Sequence, residues 1–204
     1  MNGHRLVLWR HGQTDWNRQR RFQGHSNVDL DEVGQQQAEV AAQALAQTAP
    51  DAIVTSDLAR AQQTAAALSR ITGLTSKTDV DLRETNAASW EGLTHEEIMQ
   101  RDGDVFRSWL LNPAVRPGGT GETAVEVGQR ASAAVERHVA SLPPGSTLVV
   151  VTHGGSARAL TGQLLEWPLE YWRRISVLGN CSWAELRHGP DGRWLLMSYN
   201  RSVD

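Results

Sequence analysis

The 204-residue chain has one cysteine, Cys181, so no internal disulfide can form. A single thiol fits a reducing compartment, and a cytoplasmic location is expected. No charge sign dominates. The net charge of −3 and the sequence pI of about 6.2 exclude the basic footprint of a nucleic-acid-binding domain, so no nucleic-acid partner is expected and any anion site must be local. No apolar run approaches the ~18 residues that a membrane helix requires, and Met1 to Arg10 lacks the layout of a signal peptide. No membrane partner is expected either. Repeats, low-complexity tracts and linkers are also missing, so residues 1–204 are expected to form one domain.

The ordinary 40% hydrophobic and 21% charged content suits a chain that builds its own core, and most of the eight tryptophans are expected to pack in that core or at its rim. Arg5–Trp9, Ala52–Thr55 and Thr147–Val151 are short apolar runs that read as buried strands. A polar loop is expected over Gly12–Asp29. Helices are expected from Asp31 as N-cap, from Ser56 to Thr72 with Gly73 as the stop, from the Thr94/Glu97 capping box, over Glu122–Leu142, and around Leu160, Leu164 and Leu165. Ser182–Arg187 and Arg193–Tyr199, joined by a Gly189–Gly192 turn, read as an antiparallel pair. Strands alternating with helices predict a three-layer α/β/α sandwich around a mostly parallel sheet with an antiparallel edge.

Two strands end alike, in Arg10-His11-Gly12 and Thr152-His153-Gly154. Ligands of open α/β sheets bind beyond the carboxyl ends of the strands, which is where both histidines are expected. Glycines such as Gly154 let backbone N–H groups approach an anion. Each histidine could equally hydrogen-bond within its own turn. Arg10 adds positive charge beside His11. Arg60 lies in the first turns of a helix, where the dipole prefers acids. A bound phosphate would account for it, as would a pairing with Asp57. Glu84 follows a weak strand, as solvated loop glutamates often do. His11, His25 and His153 lack the spacing and carboxylate partners of a zinc site, so neither a metal nor another cofactor is expected.

Leu8–Asn17 resembles the signature of the histidine phosphatase superfamily, which includes the cofactor-dependent phosphoglycerate mutases. Leu30–Ala38, Ser56–Ala65, Leu82-Arg83-Glu84 with Trp90–Thr94, and Val151–Gly155 are similar to that family's further motifs, in the family's order and over nearly the whole chain. The resemblance implies that His11 is the nucleophile and forms a phosphohistidine, and that Arg10, Arg60 and His153 bind the phosphoryl oxygens. It also implies that Glu84 is the proton donor, with Thr14, Asn17, Gln23 and Gly24 lining the phosphate pocket. A neutral imidazole is available near pH 7, in-line transfer spreads charge that Arg10, Arg60 and a protonated His153 would meet, and Glu84 in a dry pocket could protonate the leaving oxygen.

The segment between Glu84 and His153 is short for a mutase-type lid, and Thr85–Gly92 departs from the tyrosine-containing segment of mutases, which favours hydrolysis of a small phosphorylated metabolite. Arg83–Thr85, Trp90–His95 and Gly179–Trp183 resemble one branch, the actinobacterial glucosyl-3-phosphoglycerate phosphatases, which makes glucosyl-3-phosphoglycerate or a similar small phosphorylated acid the expected substrate. Arg20, Arg21 and Arg158 could meet a substrate carboxylate, and Trp90, Trp109 and Trp183 a sugar, although solvation and packing explain them too. A mutase, and a phosphoester-binding regulatory module without turnover, are the alternatives. The family's habit makes a homodimer the expected assembly.

Overall fold

A computed structural model describes residues 3–203. Six strands form one sheet: β1 (Arg5–Arg10), β2 (Ala52–Thr55), β3 (Lys77–Thr78), β4 (Thr147–Thr152), β5 (Trp183–His188) and β6 (Trp194–Arg201). Their order is β3-β2-β4-β1-β5-β6. The first four are parallel, and β5 and β6 run antiparallel at one edge.

Alternation along the central strands builds two cores. Leu6, Leu8, Leu148 and Val150 face one side of the sheet, against Ala131, Val135 and Leu160. Val7, Trp9, Val149 and Val151 face the other, against Ala41, Leu45, Ala65 and Leu68. The first set of partners lies on α5 (Ala124–Ala140) and α6 (Gly154–Leu164), the second on α2 (Glu32–Ala46) and α3 (Ala59–Thr72). Both faces of β1 and β4 are therefore dry, which is why these strands read as unbroken apolar runs. The expected α/β/α sandwich with an antiparallel edge is the observed fold.

Local differences have local causes. The loop after β1 contains a four-residue helix, α1 (Asp15–Arg18), because Thr14 and Asn17 form a capping box. Helix α3 begins at Ala59, later than Ser56. Its Ala59 N–H is satisfied from outside by Asn27 Oδ1 at 2.8 Å, while Ser56 Oγ accepts from Leu58 N–H. Gly73 ends α3 in the left-handed region, as expected. Helix α5 starts after Thr123, which boxes with Glu126. The strand expected before Glu84 is only the two residues of β3, followed by a single 3-10 turn over Val80–Leu82.

Candidate active site

The register of β1 and β4 builds the site. Arg10 pairs with Thr152, so the next residue of each strand, His11 and His153, leaves the sheet at the same level. His11 N–H donates to Thr152 O at 3.0 Å. The two rings lie 5.1 Å apart, with His11 2% exposed and His153 fully buried. His11 Nδ1 is 2.7 Å from Gly12 O. A carbonyl only accepts, so Nδ1 carries the proton and the Nε2 lone pair is free. Arg60 Nε donates to His153 Nδ1 at 3.1 Å, which puts the His153 proton on Nε2, a buried atom without a partner among the described residues. Burial, then the charges of Arg60 and Arg10, hold the His11 pKa well below 6.5. Burial and Arg60 do the same to His153. Both rings are neutral near pH 7. The protonated His153 expected from sequence is thus replaced by a neutral ring, which still donates through Nε2–H.

Arg60 is fully buried on the first turn of α3. It does not pair with Asp57, which takes Arg83 instead at 2.8 Å. Beyond His153, it donates to Gly24 O at 2.9 Å and Ser26 O at 2.8 Å, fixing its fork against the loop before α2. Burial lowers its pKa to about 10, which leaves it charged. Arg10 donates to Leu178 O, and its Nε is buried without a partner among the described residues. Asn17 Oδ1 accepts from Thr14 and Asn180, leaving its NH2 as the donor end. Gln23 is 8% exposed, and its Oε1 has no partner among the described residues. Arg10, His11, Asn17, Gln23, Gly24, Arg60 and Glu84 line one cavity of about 220 Å³.

Glu84 is positioned by backbone. Its carboxylate accepts from Thr85 N–H at 2.7 Å, Gly155 N–H at 2.9 Å and Ser156 N–H at 3.0 Å, the last two at the positive end of α6. Arg130 holds the chain leading to it, donating to the carbonyls of Asp81, Arg83 and Glu84, and is itself held by Glu122. Glu84 is therefore neither a free loop residue nor solvated on all sides.

Other expectations need correction. Thr14 does not line the cavity. It is fully buried and its hydroxyl is used as the cap of α1. Gly12 offers no free N–H, because that group donates to Thr64 Oγ1 at 3.1 Å. Its missing side chain instead lets Gly34 approach, since a Cβ would sit 2.4 Å from Gly34 O. Gly154 likewise makes room for packing, here against Val177, and Gly155 rather than Gly154 reaches the cavity. Arg20 is exposed and outside the cavity, whereas Arg21 lines it but is tied to Gly92 O and Glu97. Trp90 and Trp183 are core residues, and only Trp109 of the three expected stacking surfaces reaches the cavity.

The stretch after Glu84 is also less bare than its length suggests. It forms α4 (His95–Leu111), whose Ile98 and Phe106 pack with Ala87 and Trp90 and with the half-buried Phe22 and Trp109. His95, Trp109 and Pro117 give the cavity a wall. Sequence reasoning missed Glu91, whose carboxylate receives His25 N–H and Ser26 Oγ–H and so shapes the loop that carries Gln23 and Gly24. It also missed Arg173, which lines the cavity from the segment after α6. Glu91 lies within the Trp90–Thr94 motif but nothing in that motif marks its role, and no local pattern signals Arg173.

Comparison with known proteins agrees with this geometry. Residues 6–201 match the histidine phosphatase superfamily (branch 1). A glucosyl-3-phosphoglycerate phosphatase of Mycobacterium tuberculosis strain H37Rv is 39% identical over all of this chain and 97% of its own. That of Mycolicibacterium vanbaalenii is 38% identical over the same shares. A solved mycobacterial glucosyl-3-phosphoglycerate phosphatase in complex with VO3 superposes with a TM-score of 0.92, at 41% identity, over 97% of this chain and 99% of that one. The chain belongs to the histidine phosphatase superfamily.

Proposed function

We propose that the protein is a phosphomonoester hydrolase that works through a phosphohistidine at His11. The observation that carries this reading is the neutral His11 ring, its Nδ1–H spent on Gly12 O, which leaves an Nε2 lone pair free in a cavity that Arg10 and Arg60 also line. In the first half-reaction Nε2 attacks phosphorus in line, the P–O ester bond breaks, and the departing alkoxide takes a proton from Glu84. In the second, water gives a proton to Glu84 and attacks phosphorus, the N–P bond breaks, and inorganic phosphate leaves a neutral His11. Arg10, Arg60 and the Nε2–H of His153 meet the charge on the equatorial oxygens, a contribution of roughly 10²–10³ in rate per donor. Asn17 and Gln23 add polar groups at the rim.

The relatives' substrate suggests a small phosphorylated acid, and glucosyl-3-phosphoglycerate in particular. A mutase is the second reading. The wall supplied by α4 and the loop after it favours it, because isomerisation needs an intermediate kept from water. Incubation with 3-phosphoglycerate and a trace of 2,3-bisphosphoglycerate, alongside glucosyl-3-phosphoglycerate alone, separates the two. Hydrolysis predicts free phosphate with little 2-phosphoglycerate. Rapid isomerisation with little phosphate release overturns it.

A further inference from the structure

Eight arginines among the described residues are buried or half-buried. Four of them pair with a carboxylate: Arg5 with Glu185, Arg21 with Glu97, Arg83 with Asp57 and Arg130 with Glu122. The other four, Arg10, Arg60, Arg158 and Arg173, pair with none, and all four line the same cavity. Arg10 and Arg60 flank His11. Arg158 and Arg173 have no part in the reaction proposed above.

Arg158 projects from α6 and donates no hydrogen bond to any described residue. Arg173 is held with its guanidinium 4.5 Å from the ring of Trp109, so it is fixed by stacking rather than by an anion. Its Nε is buried without a partner. The two are near enough for Arg158 to depress the Arg173 pKa further, to about 10, after burial. Placing two half-buried like charges in one cavity is unfavourable unless an anion joins them. The charge balance agrees: with Glu84 holding the proton that the first half-reaction requires, four unpaired guanidinium groups against a phosphomonoester dianion leave two positive charges.

We propose that Arg158 and Arg173, backed by Trp109, form a second anion subsite that binds the carboxylate of the phosphoester and so selects phosphorylated acids over neutral phosphoesters of the same size. This rests on the phosphatase reading for the identity of the ligand, but the subsite can be tested without turnover.

The test compares 3-phosphoglycerate with glycerol 3-phosphate, which lacks the carboxylate. Binding is measured by calorimetry on His11→Ala protein, with and without Arg158→Met and Arg173→Met. The starting protein should bind 3-phosphoglycerate about tenfold or more tightly than glycerol 3-phosphate, and the Met substitutions should remove most of that ratio. Arg173→Lys should restore part of it, since it keeps charge over Trp109. In the protein with His11, the same substitutions should lower the ratio of kcat/KM for the two esters by a similar factor, through KM rather than kcat. Equal affinity for the two ligands at the start, or equal loss of both in the variants, overturns the subsite. Failure to release phosphate from any ester, with the binding ratio intact, would instead remove the hydrolase reading and leave the subsite standing.

Discussion

Arg60 Nε lies 3.1 Å from His153 Nδ1, and because a guanidinium only donates, this one contact sets the tautomer of a histidine 93 residues away. It makes Nε2 of His153, buried and without a partner among the described residues, the donor on a ring 5.1 Å from that of His11. In the proposed reaction Arg60 therefore serves the phosphoryl group twice, through its own fork and through the ring that it orients.

Arg60→Met should lower kcat/KM by roughly 10²–10³. It should also lower the melting temperature, because Gly24 O, Ser26 O and His153 Nδ1 lose their donor, at about 1–3 kcal/mol for each group left buried and unpaired. Arg60→Lys keeps the charge but not the planar fork, so it should recover stability better than rate. Steady-state kinetics and thermal denaturation on the same preparations check both. A variant that melts like the wild type would mean that the fork is not carrying that loop.

Glu84→Gln should slow alkyl phosphates far more than p-nitrophenyl phosphate, because an alkoxide needs a proton to leave and a nitrophenolate scarcely does. The amide can keep some of the contacts with the N–H groups of Gly155 and Ser156 but cannot carry a proton between half-reactions. Equal losses on the two substrates would contradict the proton-transfer role.

The two buried histidines give stability a definite pH dependence. Folding holds both well below 6.5, so below that pH the unfolded chain binds protons that the folded chain does not. Stability is then fully present above about pH 6.5 and falls as pH drops below it, by up to roughly 1.4 kcal/mol per pH unit for each histidine. Urea unfolding between pH 7.5 and 5 should show that slope, and His153→Gln should reduce it. By the same shift, the nucleophile remains deprotonated below pH 6.5, so protonation of His11 should limit kcat only in more acidic solution.

Much of this was legible because the signals were local. The strand ends at Trp9-Arg10-His11 and Val151-Thr152-His153 are apolar runs closed by a polar group, and parallel pairing of β1 with β4 did the rest. The position of Arg60 against the helix dipole left a bound anion and a pairing with Asp57 both open, and the bonds to Gly24, Ser26 and His153 that it makes belong to tertiary structure. Glu84 looked ordinary because its distinguishing partners are backbone amides about 70 residues on. Thr14 was misread although the cause is short-range: Thr14 and Asn17 have capping-box spacing, and a hydroxyl used as a cap is not free for a ligand. The glycines after each histidine were read as anion cradles, whereas Gly12 meets Gly34 across 22 residues of chain, which no local pattern announces. Arg173 carried no signal at all, since its meaning comes from Trp109 and from its having no carboxylate partner among the described residues.

The most direct test of the central claim is to trap the intermediate. Enzyme mixed with a radiolabelled phosphoester and quenched rapidly without acid should carry label that is stable in alkali and lost in acid, as an N–P bond requires. Peptide mapping should place that label on His11, and His11→Ala should carry none while losing more than about 10³ of turnover. Label that survives acid, label on another residue, or a His11→Ala enzyme with over about a tenth of wild-type activity would contradict the account.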